Sequence, residues 1–271
     1  MSDSGEHSSA GRTAKFEPLP SGPPPLVKSS QWYPSYAYGS LCAARLASAL
    51  DLDAVSLLEL GVAGGNGLVE LERIAGVLSD DYGLQTDVAG FDLGTGMPTP
   101  ADYRDVPYIW QHGFFSMDED QLRARLQSAQ LYIGDITRTG PQYLATNPAP
   151  IGFISFDMDY YSATVSAFDA LFFADPSQFL PRVFCYFDDT TGPHDEYHCN
   201  FAGELLAINE FNQRSQHRKL DKIHGLRYRM LPMDEPWIEA MYVLHLFDHP
   251  NYCDYVYPEA SRQFPLESPN P

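Results

Sequence analysis

Five short apolar runs, each with an acidic residue within two positions of its end, limit what this chain of 271 residues can fold into. They cover residues 56–60, 88–91, 131–133, 151–156 and 182–187. Between and around them apolar residues recur at helical spacing, over 41–50, 68–78, 119–128, 163–173 and 202–212. Short buried strands alternating with helices predict a mostly parallel sheet covered on both faces. Two last runs, 226–231 and 240–247, have no helical stretch between them and read as a closing antiparallel hairpin. In such sheets ligands sit beyond the carboxyl ends of the strands, near the point where strand order reverses. The residues found there are Glu59-Leu60-Gly61, Asp92, Gly134-Asp135, Asp157-Met158-Asp159 and Asp188-Asp189.

The first run enters the turn Glu59-Leu60-Gly61-Val62-Ala63-Gly64-Gly65-Asn66-Gly67 and then a helix. Glycine at such a turn lets the backbone approach a ligand where a Cβ would clash. The helix N-terminus offers unpaired N–H groups to an anion, either a phosphate or the carboxylate of an amino-acid moiety. The spacing is not GxGxxG, and Glu59 suits a cationic amino-acid group such as that of S-adenosylmethionine (SAM) better than a pyrophosphate. Asp92, ending the second run, is placed to accept hydrogen bonds from ribose hydroxyls. Asp135, after the third, can reach the adenine or close the pocket. Glu59, Gly61, Gly64, Gly65, Asp92 and Asp135 are therefore the expected cofactor-binding set.

Neighbouring parallel strands lie about 4.8 Å apart. If the fourth and fifth runs are neighbours, Asp157, Asp159, Asp188 and Asp189 converge. Uncompensated carboxylates raise one another's pKa, and a hard divalent cation with oxygen ligands resolves the conflict. Asp157, Asp188 and Asp189 are the expected ligands, with Mg²⁺ the expected ion. Such an ion would hold a substrate hydroxyl and lower its pKa. Asp157, Asp159, Tyr160 and His194 are the candidate catalytic residues, with His198 competing as base.

Several segments resemble the macrocin O-methyltransferase (TylF-like) family. They are Glu59-Leu60-Gly61-Val62 with Gly64 and Gly65, and Gly90-Phe91-Asp92 with Gly96-Met97-Pro98. The segment Phe156-Asp157-Met158-Asp159-Tyr160-Tyr161-Ser162-Ala163-Thr164 is the most specific of them. Asp188-Asp189 follows, then Cys199-Asn200-Phe201-Ala202-Gly203 with Ala207-Ile208-Asn209-Glu210-Phe211. Thr190 stands where the family has tyrosine. The resemblance implies a Rossmann-like class I methyltransferase fold. It also implies SAM as cofactor, the three aspartates as metal ligands, and a small-molecule hydroxyl, on a sugar or a phenol, as methyl acceptor. Two rival readings are a metal-dependent hydroxylase, which needs histidine beside a carboxylate at iron, and a non-catalytic binding protein on the same scaffold.

Seventeen Lys and Arg against thirty-six Asp and Glu give a net charge of −19. That argues against a phosphate-neutralising nucleic-acid binder and against an anionic membrane surface as partner. No run approaches 18 apolar residues, so no membrane span is expected. Four scattered cysteines without a CxxC pair, and no secretory h-region, point to a reducing, cytoplasmic setting. A homo-oligomer is left open. Residues 1–29, rich in Ser, Gly and Pro, read as a disordered or loosely attached leader. Residues 30–263 read as the methyltransferase domain, with aromatics 31–38 as a lid or substrate wall, and 264–271 as a flexible tail.

Overall fold

The computed structural model describes residue 19 and residues 21–257. Strands β1 (Ala54–Leu60), β2 (Gln85–Asp92), β3 (Gln130–Ile133), β4 (Ile151–Phe156), β5 (Phe179–Phe187), β6 (Arg218–Lys222) and β7 (Met241–Leu246) form one sheet. Their order is β3-β2-β1-β4-β5-β7-β6. The first five run parallel, and β7 is antiparallel to both β5 and β6. This is the Rossmann-like class I methyltransferase fold expected from the sequence.

Alternation along the buried strands feeds two cores. Leu57 of β1 and Phe153 of β4 point to the face covered by α2 (Pro34–Ala49) and α3 (Asn66–Tyr82). Leu58, Leu60, Ile154 and Phe156 point to the other face. There α5 (Ile136–Ala145), α6 (Tyr161–Leu171) and α7 (Gly203–Arg214) pack side by side. Rings of Phe156 and Phe187 stack 4.4 Å apart. They hold the ends of β4 and β5 together, directly beneath the acidic residues.

Strand register decides what shares the carboxyl edge. Leu60 pairs with Phe91 and with Phe156, and Phe156 pairs with Phe187. These four residues form one row across the sheet. The next row is therefore Gly61, Asp92, Asp157 and Asp188. Backbone bonds continue past the strands: Gly61 N–H donates to Phe91 O and Asp157 N–H to Leu60 O, each at 2.9 Å. Strand order reverses at β1 and β4, so this row borders the crevice where ligands collect.

The structure corrects several local expectations. Residues 226–230 form a helix, α8 (Leu226–Met230), and the edge strand is β6 at Arg218–Lys222. The closing antiparallel pair is thus β6 and β7, joined through α8 and a 3-10 turn at Pro236–Ala240, not by a tight hairpin. The β6 sequence Arg-Lys-Leu-Asp-Lys carries little apolar signal. Arg218 fills an inward position, 6% exposed, by donating to Phe172 O at 2.6 Å and pairing with Asp248 at 3.1 Å. Helix α5, not anticipated, contains Pro141 in its interior, a residue that ordinarily argues against a helix.

The loose leader does not extend to residue 29. Pro25–Ser29 form α1, which packs on α2 and buries Val27. Of the aromatics in the segment read as a lid or substrate wall, Tyr36 and Tyr38 lie within α2 and are buried, while Trp32 and Tyr33 precede it. The rest of the leader reading, residues 1–18 and 20, and the tail reading at 264–271 lie outside the described residues. No helix among the described residues is long and apolar enough to cross a membrane.

Candidate active site

A cavity of about 620 Å³ opens at the carboxyl edge of the sheet. It is lined by the turn after β1, by Asp92, by Asp135, and by the Asp157–Tyr160 segment. Glycine is required where the chain crosses its floor. Gly61 has φ +87, and a Cβ there would lie 1.7 Å from the carbonyl oxygen of Asp157. Gly65 has φ +79, and a Cβ would meet Leu122 at 2.1 Å. Gly64 faces open space.

Glu59 sits under this turn and is 2% exposed. Its Oε1 accepts from the Tyr36 hydroxyl at 2.8 Å. Gly67 packs so closely that a Cβ would fall 2.0 Å from that oxygen. The other oxygen, Oε2, is buried with no partner. Burial pushes the Glu59 carboxyl up to about 8; the Tyr36 hydroxyl opposes this and Asp92 adds to it. A buried acceptor without a donor is costly, so this oxygen suits a cationic donor from a ligand in the cavity. Such a carboxyl gives a pH-dependent stability. The ordinary value is 4.5. As pH rises from there to about 8 the unfolded chain loses a proton that the folded chain keeps, so folding weakens through that window. Glu59→Gln is expected to match the wild type in thermal melts near pH 4 and to exceed it increasingly toward pH 8. Parallel melting curves across that range would contradict this.

Asp92 braces the glycine turn. Its Oδ2 accepts from the amides of Val62 and Ala63, both at 2.9 Å, and its Oδ1 from Gly94 at 2.6 Å. Asp135 is exposed at the cavity and caps α5, accepting from the Thr137 amide at 2.8 Å and its hydroxyl at 2.7 Å. Those bonds hold its carboxyl below the usual range. Both acids thus line the cavity while carrying structural bonds of their own.

At the ends of β4 and β5, ligand oxygens of Asp157, Asp188 and Asp189 all lie within 4.8 Å of one another. Burial pushes the Asp157 carboxyl well up, and Asp188, Asp189, Asp159 and Glu59 push it further. Asp189 is raised by burial and by Glu204, Asp159 and Asp188. Asp159 is raised to about 7 by burial, Asp188 and Glu196. Three carboxylate oxygen donors converging this closely match a hard divalent ion. No histidine joins this cluster among the described residues.

Asp159 has φ +59, and its amide donates to Asp189 Oδ2 at 3.1 Å. Tyr160 lines the cavity, but its hydroxyl donates to Pro98 O at 3.2 Å. His194 is exposed on the loop after β5 and does not line the cavity, and His198 pairs with Glu196 at 2.8 Å. Three residues went unassigned in the sequence. Tyr36, placed there only in a general wall, holds Glu59. Tyr186 donates its hydroxyl to Asp188. Glu204, in the first turn of α7, accepts from the Asp189 amide at 3.1 Å. The strand period could have flagged Tyr186, two residues before Asp188. Nothing local marks Glu204.

No family model and no curated protein sequence matches the chain. Among solved structures it is similar to CalS11, a calicheamicin methyltransferase, at 23% identity over 77% of each chain with a TM-score of 0.49. It is similar to the apo form of CalS11, described as a TDP-rhamnose 3'-O-methyltransferase, at 23% identity over 76% of this chain and 77% of that one, TM-score 0.42. It is also similar to MnmC2 from Aquifex aeolicus, at 11% identity over 83% of this chain and 62% of that one, TM-score 0.38.

Proposed function

We propose that the protein is a SAM-dependent O-methyltransferase acting on a hydroxyl of a small molecule, with Mg²⁺ at Asp157, Asp188 and Asp189. One observation carries the reading: Asp157 belongs both to the acidic cluster and to the cavity under which Glu59 holds an unpartnered buried oxygen. Donor site and cation site therefore share one wall. The fit rests on charge and space. SAM brings a cationic amino group, which Glu59 Oε2 would accept, and the glycine turn leaves room beside it.

SAM, when bound, supplies an electrophilic methyl group, and the divalent cation favours the ionised form of an oxygen acid. The chain's own residues do the rest. Tyr36 and Gly67 fix the Glu59 carboxylate. Phe156 and Phe187 hold the two aspartate-bearing strand ends in register. Asp159, which lines the cavity beside Asp157, takes the acceptor's proton at a side-chain oxygen. Proximity and orientation in a shared cavity supply much of the acceleration. Four free cysteines, two of them buried, suit a reducing compartment such as the cytoplasm.

Calorimetric titration with SAM, with and without Mg²⁺, tests the reading. Saturable heat with SAM that strengthens with Mg²⁺ is expected, and absence of any SAM heat would end it. Asp159→Asn is expected to keep both binding isotherms while lowering turnover by roughly 10²–10⁴-fold. Unchanged turnover would remove Asp159 as base.

A further inference from the structure

Glu204 is a buried acid that the proposed reaction does not use. It is 0% exposed. Its Oε2 accepts from the Asp189 amide at 3.1 Å, and its Oε1 is buried without a partner. Asp189 in turn accepts from the Asp159 amide at 3.1 Å through its own carboxylate. The turns after β4 and β5 and the start of α7 are thereby laced together, with Glu204 at the far end from the cavity. An amide side chain would hold the Asp189 N–H equally well without setting a fourth acid beside the Asp157, Asp188 and Asp189 cluster. Hydrogen bonding alone does not explain a carboxylate here. A cation held by Asp189 and its two neighbouring aspartates would.

We infer that Glu204 is a positioning residue of the cation centre. It fixes the turn that presents Asp188 and Asp189, and its charge strengthens cation binding through Asp189 without contacting the ion. The inference rests on the three-aspartate cation site proposed above. It assigns a role to a residue outside that ligand set.

The conservative variant Glu204→Gln keeps an acceptor for the Asp189 amide and removes the charge. Mn²⁺ binding to the full chain, read by paramagnetic resonance of the free ion, is expected to weaken about tenfold in Glu204→Gln. SAM affinity measured without metal is expected to stay unchanged. The metal-free melting temperature should hold or rise, while the upward shift produced by Mn²⁺ shrinks. A merely structural role predicts the opposite pattern: a lower metal-free melting temperature and an intact Mn²⁺ affinity. Wild-type affinity for Mn²⁺ in Glu204→Gln would overturn the inference while leaving the cation site standing. No Mn²⁺ binding by the wild type would overturn the cation site itself and this inference with it.

Discussion

Under the proposed SAM- and Mg²⁺-dependent reaction, Asp157→Asn is expected to lower methyl transfer by roughly 10²–10³-fold, the scale of losing one preorganised electrostatic group, and to abolish the response to Mg²⁺. Asp157 is the residue where the two halves of the site meet. It lines the cavity and is one of the three carboxylates within 4.8 Å of one another. Asparagine keeps its shape and its backbone bond to Leu60 but removes a charge. Burial and four neighbouring acids already oppose ionisation there. The metal-free variant should therefore be at least as stable as the wild type, and the loss should fall on function alone. Melting curves and SAM titrations with and without Mg²⁺ check this. A variant that still tightens on SAM when Mg²⁺ is added would remove Asp157 from the cation centre.

Gly61→Ala is expected to cost about 2–5 kcal/mol of stability, summing the left-handed backbone penalty and overpacking. The added methyl would lie 1.7 Å from the Asp157 carbonyl oxygen, a backbone atom that cannot step aside. Relief requires the ends of β1 and β4 to part. That would move Asp157 and widen the cavity, so SAM and cation binding should fail together. Gly64→Ala is the control, since its methyl enters open space. It should leave the denaturant midpoint near wild type and alter only SAM affinity. Equal midpoints for the two variants would show that the turn is not pressed against β4.

Most of the carboxyl edge was legible in the sequence because its parts are local. A buried strand shows as an apolar run, and the residue that ends it is next in the chain. Glu59, Asp92, Asp157 and Asp188 were therefore readable one by one, and the register of the parallel strands brings the last three into the same row as Gly61. What escaped depends on partners distant in sequence. Strand β6 is written in charged residues because Arg218 is satisfied by Phe172 and Asp248. Helix α5 tolerates Pro141 while its neighbour Gly140 packs on Ala170 and Leu171 of α6. Glu204 looks like an ordinary acid in a first helical turn, and only the approach of α7 to the turn after β5 gives it a role. His194 read as a candidate base by order along the chain, but it is exposed and is not among the residues that line the cavity.

The claim that one crevice holds both donor and cation is tested most directly by crystals grown with Mn²⁺ and S-adenosylhomocysteine, using anomalous scattering to place the ion. The expected map has a single strong peak bounded by Asp157, Asp188 and Asp189, with the amino group of the nucleoside at Glu59 Oε2. An ion bound away from these three side chains, or the nucleoside bound outside the glycine turn, would contradict it.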